Sequence, residues 1–116
     1  MTPTAQGDPV LPEAVRRYHD ATDHDVIETA LPAFTADASV TDENRTYWGS
    51  DQIRRWLAAA ATQFTYTRTV VKAEQTSPST WVVVNRLEGD FPGGSVDLRY
   101  RYTLNGGLIS ALTIAP

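Results

Sequence analysis

The chain has 116 residues, 41% hydrophobic and 21% charged, a composition typical of one globular domain that buries a core. Ten Lys and Arg against fourteen Asp and Glu give a net charge of -4, the wrong sign for binding nucleic acid or an anionic membrane through phosphates. The absence of cysteine excludes disulfides, thiolate nucleophiles and cysteine-based zinc sites. Because no segment has the features of a membrane span or a signal peptide, we expect a cytoplasmic protein.

The N-terminal part of the chain predicts two helices. Residues 1–10 have no periodicity and are expected to be a flexible leader before a single domain over 11–116. Pro12 suits the first turn of a helix. Apolar spacing gives that helix one face, formed by Leu11, Val15, Tyr18 and Thr22. Asp23 or Asp25 caps a second, short helix, which Pro32 kinks or ends. The face of this second helix comprises Ile27, Ala30, Leu31 and Phe34.

The middle of the chain changes from helical periodicity to alternation and back. From Ala38, alternation predicts a strand in which Ala38, Val40 and Asp42 share one face. An acidic turn over 42–44 leads into a second strand over 45–48, and Ser50 is a natural N-cap for a long helix. The buried stripe of this helix is predicted to comprise Ile53, Trp56, Leu57, Ala60 and Phe64.

The rest of the chain predicts four strands over 66–74, 81–90, 96–104 and 108–115. Segments rich in Pro, Gly and Ser separate them, and Asn105-Gly106-Gly107 is a strong hairpin signal. The predicted order is therefore α-α-β-β-α-β-β-β-β. This order favours an α+β fold with three helices packed on a curved, mostly antiparallel sheet.

This element order resembles the nuclear transport factor 2-like superfamily, most closely its SnoaL-like and ketosteroid isomerase-like branches. The resemblance depends on the run over 34–42 and on Tyr47-Trp48-Gly49 followed by the run over 51–57, and it spans about residues 11–116. It implies a cone-shaped roll with an apolar pocket between the concave face of the sheet and the first and third helices. The superfamily includes isomerases, cyclases, dehydratases, hydrolases and proteins without chemistry, so the fold alone does not define the activity.

Asp42 is the strongest candidate for a catalytic residue. Alternation places its carboxyl on the buried face of its strand, and an apolar environment raises the pKa of a carboxyl toward neutrality. The resemblance to ketosteroid isomerases implies an aspartate base at this strand end and a helix-one tyrosine, here Tyr18, at the enolate oxygen. Tyr100 stands where those enzymes have a protonated acid, and a phenol is also able to donate that hydrogen bond. The alternative is structural, because an aspartate before a turn often bonds the backbone of the next residues.

Strand and helix faces also predict a pocket wall. Tyr100 and Tyr102 share the inward face of their strand. The expected ligand-pocket residues are Phe34, Trp56, Asn85 and Tyr102, with Asn85 as the polar one because its parity matches the inward apolar residues of its strand. His19 and His24 lie off a common helical face and are interpreted as surface or rim residues. We therefore expect no metal site and no cofactor.

These residues predict a small-molecule pocket protein that acts on a hydrophobic carbonyl compound as a cofactor-independent isomerase or polyketide-cyclase-like enzyme. Asp42 would move a proton, and Tyr18 with Tyr100 would stabilise the oxyanion.

The alternative is a non-catalytic domain of the same fold, either a ligand-binding domain or a dimeric scaffold. The scaffold would form a homodimer through the sheet face, with Trp81 in the interface. Water activation on an epoxide has less support, since only Asp42 and Asn85 are available for it. A cavity in which Asp42 reaches Tyr18 or a ligand favours chemistry. A filled core with Asp42 bonded only to backbone favours the scaffold.

Overall fold

The computed structural model describes residues 11–24, 27–63 and 66–116. The expected leader over 1–10, Asp25 as a helix cap and Phe64 in the buried stripe lie outside the described residues. The element order within the described residues is the predicted one, with three α-helices and six strands.

The helices have the bounds that capping and periodicity predict to within a few residues. Helix α1 spans Glu13–Asp23 with Pro12 at its N-cap, α2 spans Ile27–Ala30, and α3 spans Gly49–Gln63. A 3-10 turn, Leu31–Ala33, follows α2 and contains Pro32, so the proline ends the short helix. Phe34 belongs to the first strand and not to the face of α2.

The six strands form one sheet. Their bounds are β1 Phe34–Asp42, β2 Arg45–Trp48, β3 Tyr66–Ser77, β4 Thr80–Gly89, β5 Ser95–Asn105 and β6 Leu108–Ala115. Strand β1 begins earlier than the predicted Ala38, because Phe34 pairs with Ile109 of β6 and an irregularity before Ser39 interrupts the alternation that would have revealed the strand.

The strand order across the sheet is β2-β1-β6-β5-β4-β3. All neighbours are antiparallel except β1 and β6, which run parallel. The last strand therefore joins the β1–β2 hairpin to the β3–β5 meander. This arrangement of three helices on a curved, mostly antiparallel sheet confirms the predicted α+β fold.

Two tight turns determine the register on either side of this junction. Gly106 and Gly107 both have positive φ, at 61° and 85°, as the predicted hairpin between β5 and β6 requires. Glu43 and Asn44 also have positive φ, at 53° and 64°, in the turn between β1 and β2. The chain thus reverses directly after Asp42, which fixes that residue at the end of β1.

The core lies between α1, α3 and the inward face of the sheet. Its largest fully buried apolar side chains are Val15, Val40, Ile53, Val83, Tyr102, Ile109 and Leu112. Trp81, predicted to serve a dimer interface, is half-buried and packs against this core instead. It shares the parity of Val83, and this parity directs its side chain inward.

Candidate functional site

A cavity of about 370 Å³ opens between α1, α3 and the concave face of the sheet. This volume is in the range of small-molecule binding sites, which is roughly 300–1,000 Å³. Most of the wall is apolar, and the members that the helices and β4–β6 supply include Ala21, Leu57, Leu87, Leu98 and Ile114. The polar groups on the wall include Tyr18, Asp42 and Tyr100. The structure therefore brings all three predicted catalytic residues to one cavity.

Asp42 reaches the cavity from the end of β1, where it pairs with Ile114 of β6. Its Oδ2 accepts a hydrogen bond of 3.1 Å from the indole Nε1 of Trp56, one of the predicted pocket residues, which also lies on the wall. Burial raises the pKa of the Asp42 carboxyl, and the neighbouring charge of Glu43 adds to the rise. Hydrogen bonds from Trp56 and from the backbone of Glu43 act in the opposite direction. The carboxyl thus accepts a hydrogen bond from the local backbone and also lies on the cavity wall.

Tyr18 and Tyr100 supply two buried phenols to the same cavity. Burial raises the pKa of Tyr18 well above its ordinary value and that of Tyr100 to about 12. The charge of Asp42 contributes to both rises, so the three groups interact electrostatically. Both phenols therefore keep their protons at neutral pH and are able to donate hydrogen bonds into the cavity.

Phe34, Asn85 and Tyr102 were predicted to line the pocket, but the structure places them in the core beside it. Phe34 packs edge-on against the Tyr18 ring at 5.7 Å, behind the cavity wall. Asn85 is 0% exposed on the inward face of β4, and neither of its amide atoms has a hydrogen-bond partner among the described residues. Residue parity predicts which face of a sheet a side chain occupies, but it does not predict whether the cavity extends to that point.

His19 is buried, at 8% exposed, so its prediction as a surface or rim residue is wrong. Its Nε2 and the hydroxyl of Tyr102 share a hydrogen bond of 2.8 Å. Burial, followed by the charge of Arg68, lowers the pKa of His19 to about 3, so the ring is neutral. Helix α1 buries a wider face than the predicted stripe, and His19 lies one turn after the buried Val15. His24 is exposed, as predicted.

Arg68 is a buried charged residue beside the site that the sequence did not predict. Its side chain is only 4% exposed, and its Nη2 lies 2.7 Å from the His19 carbonyl oxygen, 2.7 Å from Thr22 Oγ1 and 2.6 Å from Asp23 Oδ1. Its guanidinium also lies over the Tyr18 ring, 5.8 Å from the centroid. The available signal was the parity of β3, in which Arg68 falls on the same face as the half-buried Val70.

The part of the chain that the structure describes has neither a metal-binding cluster nor a membrane-spanning helix. Over 11–24, 27–63 and 66–116, no three His, Asp or Glu side chains are grouped so that they could hold a metal ion. Among the same residues, no helix has the length and apolar character needed to cross a membrane.

Comparison with solved structures gives the family. No protein-family model matches the sequence, and no curated protein does. The chain is 31% identical to a candidate polyketide cyclase from Sinorhizobium meliloti, with a TM-score of 0.84 over 90% of this chain and 94% of that one. It is also similar to a protein from Catenulispora acidiphila with a ketosteroid isomerase-like fold, solved with trimethylamine, at 19% identity and TM-score 0.80 over 92% and 87% of the two chains.

A third similar structure is a Mycobacterium tuberculosis protein in complex with estradiol-17β-hemisuccinate, at 16% identity and TM-score 0.73 over 87% of this chain and 88% of that one. The two matches below 25% identity support the fold, and the first supports the family. The chain belongs to the nuclear transport factor 2-like superfamily, as the sequence resemblance implied.

Proposed function

We propose that the protein is a cofactor-independent isomerase or polyketide-cyclase-like enzyme that acts on a hydrophobic carbonyl compound. The observation that carries this proposal is the cavity shared by Asp42, Tyr18 and Tyr100, which brings a carboxyl and two protonated phenols to one mostly apolar wall. The same constellation needs no metal or cofactor, because a base and two hydrogen-bond donors suffice for proton transfer next to a carbonyl.

In the proposed reaction, the Asp42 carboxylate removes a proton from the carbon next to the substrate carbonyl. The electron pair of the broken C–H bond forms a C=C bond to the carbonyl carbon, and the π electrons of the C=O bond move to the oxygen, which becomes an enolate oxyanion. Tyr18 and Tyr100 donate hydrogen bonds to this oxyanion. Where a C=C bond adjoins the deprotonated carbon, the product is a dienolate, and Asp42 returns its proton to the far carbon of that dienolate, which moves the C=C bond and completes an isomerisation. In a cyclisation, the enolate carbon instead attacks another carbonyl of the same molecule, and the new alkoxide takes the proton.

Two features of Asp42 suit it to this reaction. The raised pKa of its carboxyl lies closer to the pKa of an activated carbon acid, so the carboxylate is a stronger base once ionised. The indole of Trp56 holds Oδ2 and so fixes the plane of the carboxyl against the cavity. Trp56 is therefore a positioning residue for the proposed base.

The proposal is tested by hydrogen–deuterium exchange at carbon. Hydrophobic ketones and 1,3-diketones are incubated with the protein in D₂O, and exchange next to the carbonyl is followed by NMR. Asp42→Asn is expected to lower the protein-dependent exchange rate by about 100-fold, since a positioned base contributes about that much or more. Asp37→Asn is the matched control, because it removes an exposed carboxylate of the same strand that is not part of the cavity wall and should retain the rate. Equal rates for the parent protein and Asp42→Asn would contradict the proposal.

The alternative is a ligand-binding domain without a reaction. The support for it is that Asp42 is already held by Trp56 and by the backbone of Glu43, a local arrangement that needs no substrate. The similar Mycobacterium tuberculosis protein, solved with a steroid hemisuccinate, makes a hydrophobic molecule of that kind the ligand to try first. Binding that is retained in Asp42→Asn, together with no exchange in the parent protein, would favour this alternative.

We also propose that the protein forms a homodimer through the solvent-facing side of its sheet. Val84 lies on that side between Lys72 of β3 and Arg99 of β5. A glutamate at this position would stay hydrated beside those cations in a monomer, whereas between two sheets its carboxylate would lose that hydration. Val84→Glu is therefore expected to convert a dimer into a folded monomer, as measured by light scattering after size-exclusion chromatography. A parent protein that is monomeric at every concentration would contradict the proposed dimer.

A further inference from the structure

A buried cation lies beside the phenols of the cavity. The guanidinium of Arg68 is held against the C-terminal end of α1 by the His19 carbonyl, the Thr22 hydroxyl and the Asp23 carboxylate. Its other neighbours are aromatic, with the Tyr18 ring 5.8 Å from its central carbon. Arg68 does not belong to the cavity wall, so any effect on a ligand passes through Tyr18 and Tyr100.

The charges around Arg68 do not cancel on the cavity side. The carboxylate that pairs with it, Asp23, is 43% exposed and is therefore screened by water, whereas the guanidinium is buried. The titratable groups that face Arg68 from α1 and β5 are neutral at pH 7. Burial keeps Tyr18, Tyr100 and Tyr102 protonated and His19 unprotonated. Arg68 therefore affects the two phenols more strongly than the Asp42 carboxylate does, and in the opposite direction.

Arg68 also acts directly on one phenol. Burial raises the pKa of Tyr100 to about 12, and the charge of Arg68 and a hydrogen bond from it oppose that rise. A phenol whose proton is more acidic donates a stronger hydrogen bond, and it donates most strongly to an anionic acceptor. The same cation favours negative charge at the oxygen that Tyr100 would contact.

We propose that Arg68 makes the phenol end of the cavity selective for ligands that carry an acidic hydroxyl group, such as an enolised 1,3-dicarbonyl or a phenol, and binds them as oxyanions. Arg68 is a positioning residue that acts through Tyr18 and Tyr100. The inference rests on the proposed function in assigning a ligand class to the same cavity, but it needs no reaction. Asp42 is not required for this preference, because its charge acts on the phenols in the opposite direction to that of Arg68.

The direction in which Asp23→Asn changes anion binding distinguishes a purely structural ion pair from an electrostatic role of Arg68. If the Arg68–Asp23 pair only joins β3 to α1, then removing either partner weakens the same contact and changes ligand binding in the same direction. If Arg68 sets the potential, Arg68→Met lowers the preference for anions, while Asp23→Asn raises it because the cation loses its counter-charge. The exposed position of Asp23 makes that variant compatible with folding.

The experiment uses 2-naphthol, 6-bromo-2-naphthol and 6-cyano-2-naphthol, which have similar shapes and falling pKa values. Affinities are measured at pH 7 by fluorescence, which also reports whether the bound naphthol is ionised. For the parent protein, affinity is expected to rise as the naphthol pKa falls. Arg68→Met should bind the most acidic naphthol about 10-fold more weakly and remove the trend, and Asp23→Asn should steepen it. Arg68→Lys should retain the trend because it keeps the charge.

The controls separate this inference from the proposed function. Arg86→Gln breaks an ion pair with Asp97 on the other side of the sheet and should leave the naphthol trend unchanged. Asp42→Asn should lower the rate of carbon exchange by about 100-fold while the naphthol trend persists, so each proposal is tested by its own measurement. The inference is overturned if Asp23→Asn weakens anion binding or if the parent protein binds all three naphthols equally. It is also overturned if the naphthols bind only in their neutral form.

Discussion

The free energy of unfolding is expected to fall by about 4 kcal/mol between pH 6.5 and pH 3 because of one buried histidine. His19 has an ordinary pKa of 6.5 in the unfolded chain and about 3 in the folded protein, where burial and then the charge of Arg68 disfavour the imidazolium. Between these two values, the unfolded chain binds a proton that the native state does not. Stability contributed by His19 is therefore complete above pH 6.5 and is lost as the pH falls.

The measurement is urea unfolding at a series of pH values across this window. His19→Gln keeps a side chain able to bond the Tyr102 hydroxyl but cannot titrate, so most of the pH dependence should disappear. His24→Gln removes an exposed imidazole from the same helix end and serves as the matched control, with the parent profile retained. The raised pKa of Asp42 works in the opposite sense, since a carboxyl that is more easily protonated in the native state adds stability as the pH falls. An identical profile for His19→Gln and the parent protein would rule out His19 as the cause.

Asn85→Leu is expected to raise the free energy of unfolding by about 3 kcal/mol. Asn85 is fully buried between Val70 and Leu98, and both its amide nitrogen and its amide oxygen lack a hydrogen-bond partner among the described residues. Burying an amide without partners costs about 1–3 kcal/mol for each unsatisfied group, and leucine has a similar shape without that cost. The large predicted gain follows from a polar side chain in an apolar layer.

Equilibrium unfolding in urea measures this gain, and an unchanged m-value would indicate that the unfolded state is the same. Asn85→Ala is the companion variant. It also removes the amide, but it leaves a cavity, so its stability should lie well below that of Asn85→Leu. A loss of stability in Asn85→Leu would mean that the amide forms hydrogen bonds with a bound water or ligand, and Asn85 would then regain the pocket role that its parity predicted.

The sequence predicted most of the fold because local patterns and turns agree along its second half. In β5, Tyr100 and Tyr102 alternate with charged residues, and Gly106 and Gly107 supply the positive φ values that connect this strand to β6. The parallel pairing of β1 with β6 could not be predicted in this way, since it joins residues about seventy positions apart and leaves no local pattern. The resemblance to a known family was needed for the overall arrangement.

The candidate site was predicted only in part, for a different physical reason. Asp42, Tyr18, Tyr100 and Trp56 lie on the cavity wall because face and strand-end position are encoded by parity and turns. The depth of a side chain along a strand is set by how the helices cover the sheet. For that reason Asn85 was placed on the wall and Arg68 was overlooked, although both side chains lie on the inward face. A charged residue at an inward parity position is the signal that would have found Arg68.

The central position of β6 makes assembly of the site a late event in folding. Strand β6 follows the other five described strands in the chain, yet it separates β1 from β5 and pairs Ile114 with Asp42. The proposed base and the tyrosines of β5 are therefore held together only once both ends of the described chain have met. Such non-local pairing slows folding, because the entropy of closing a long loop is lost before the contacts that offset it form. A growing chain would carry the β1–β2 hairpin with one edge of β1 unpaired until β6 has been synthesised.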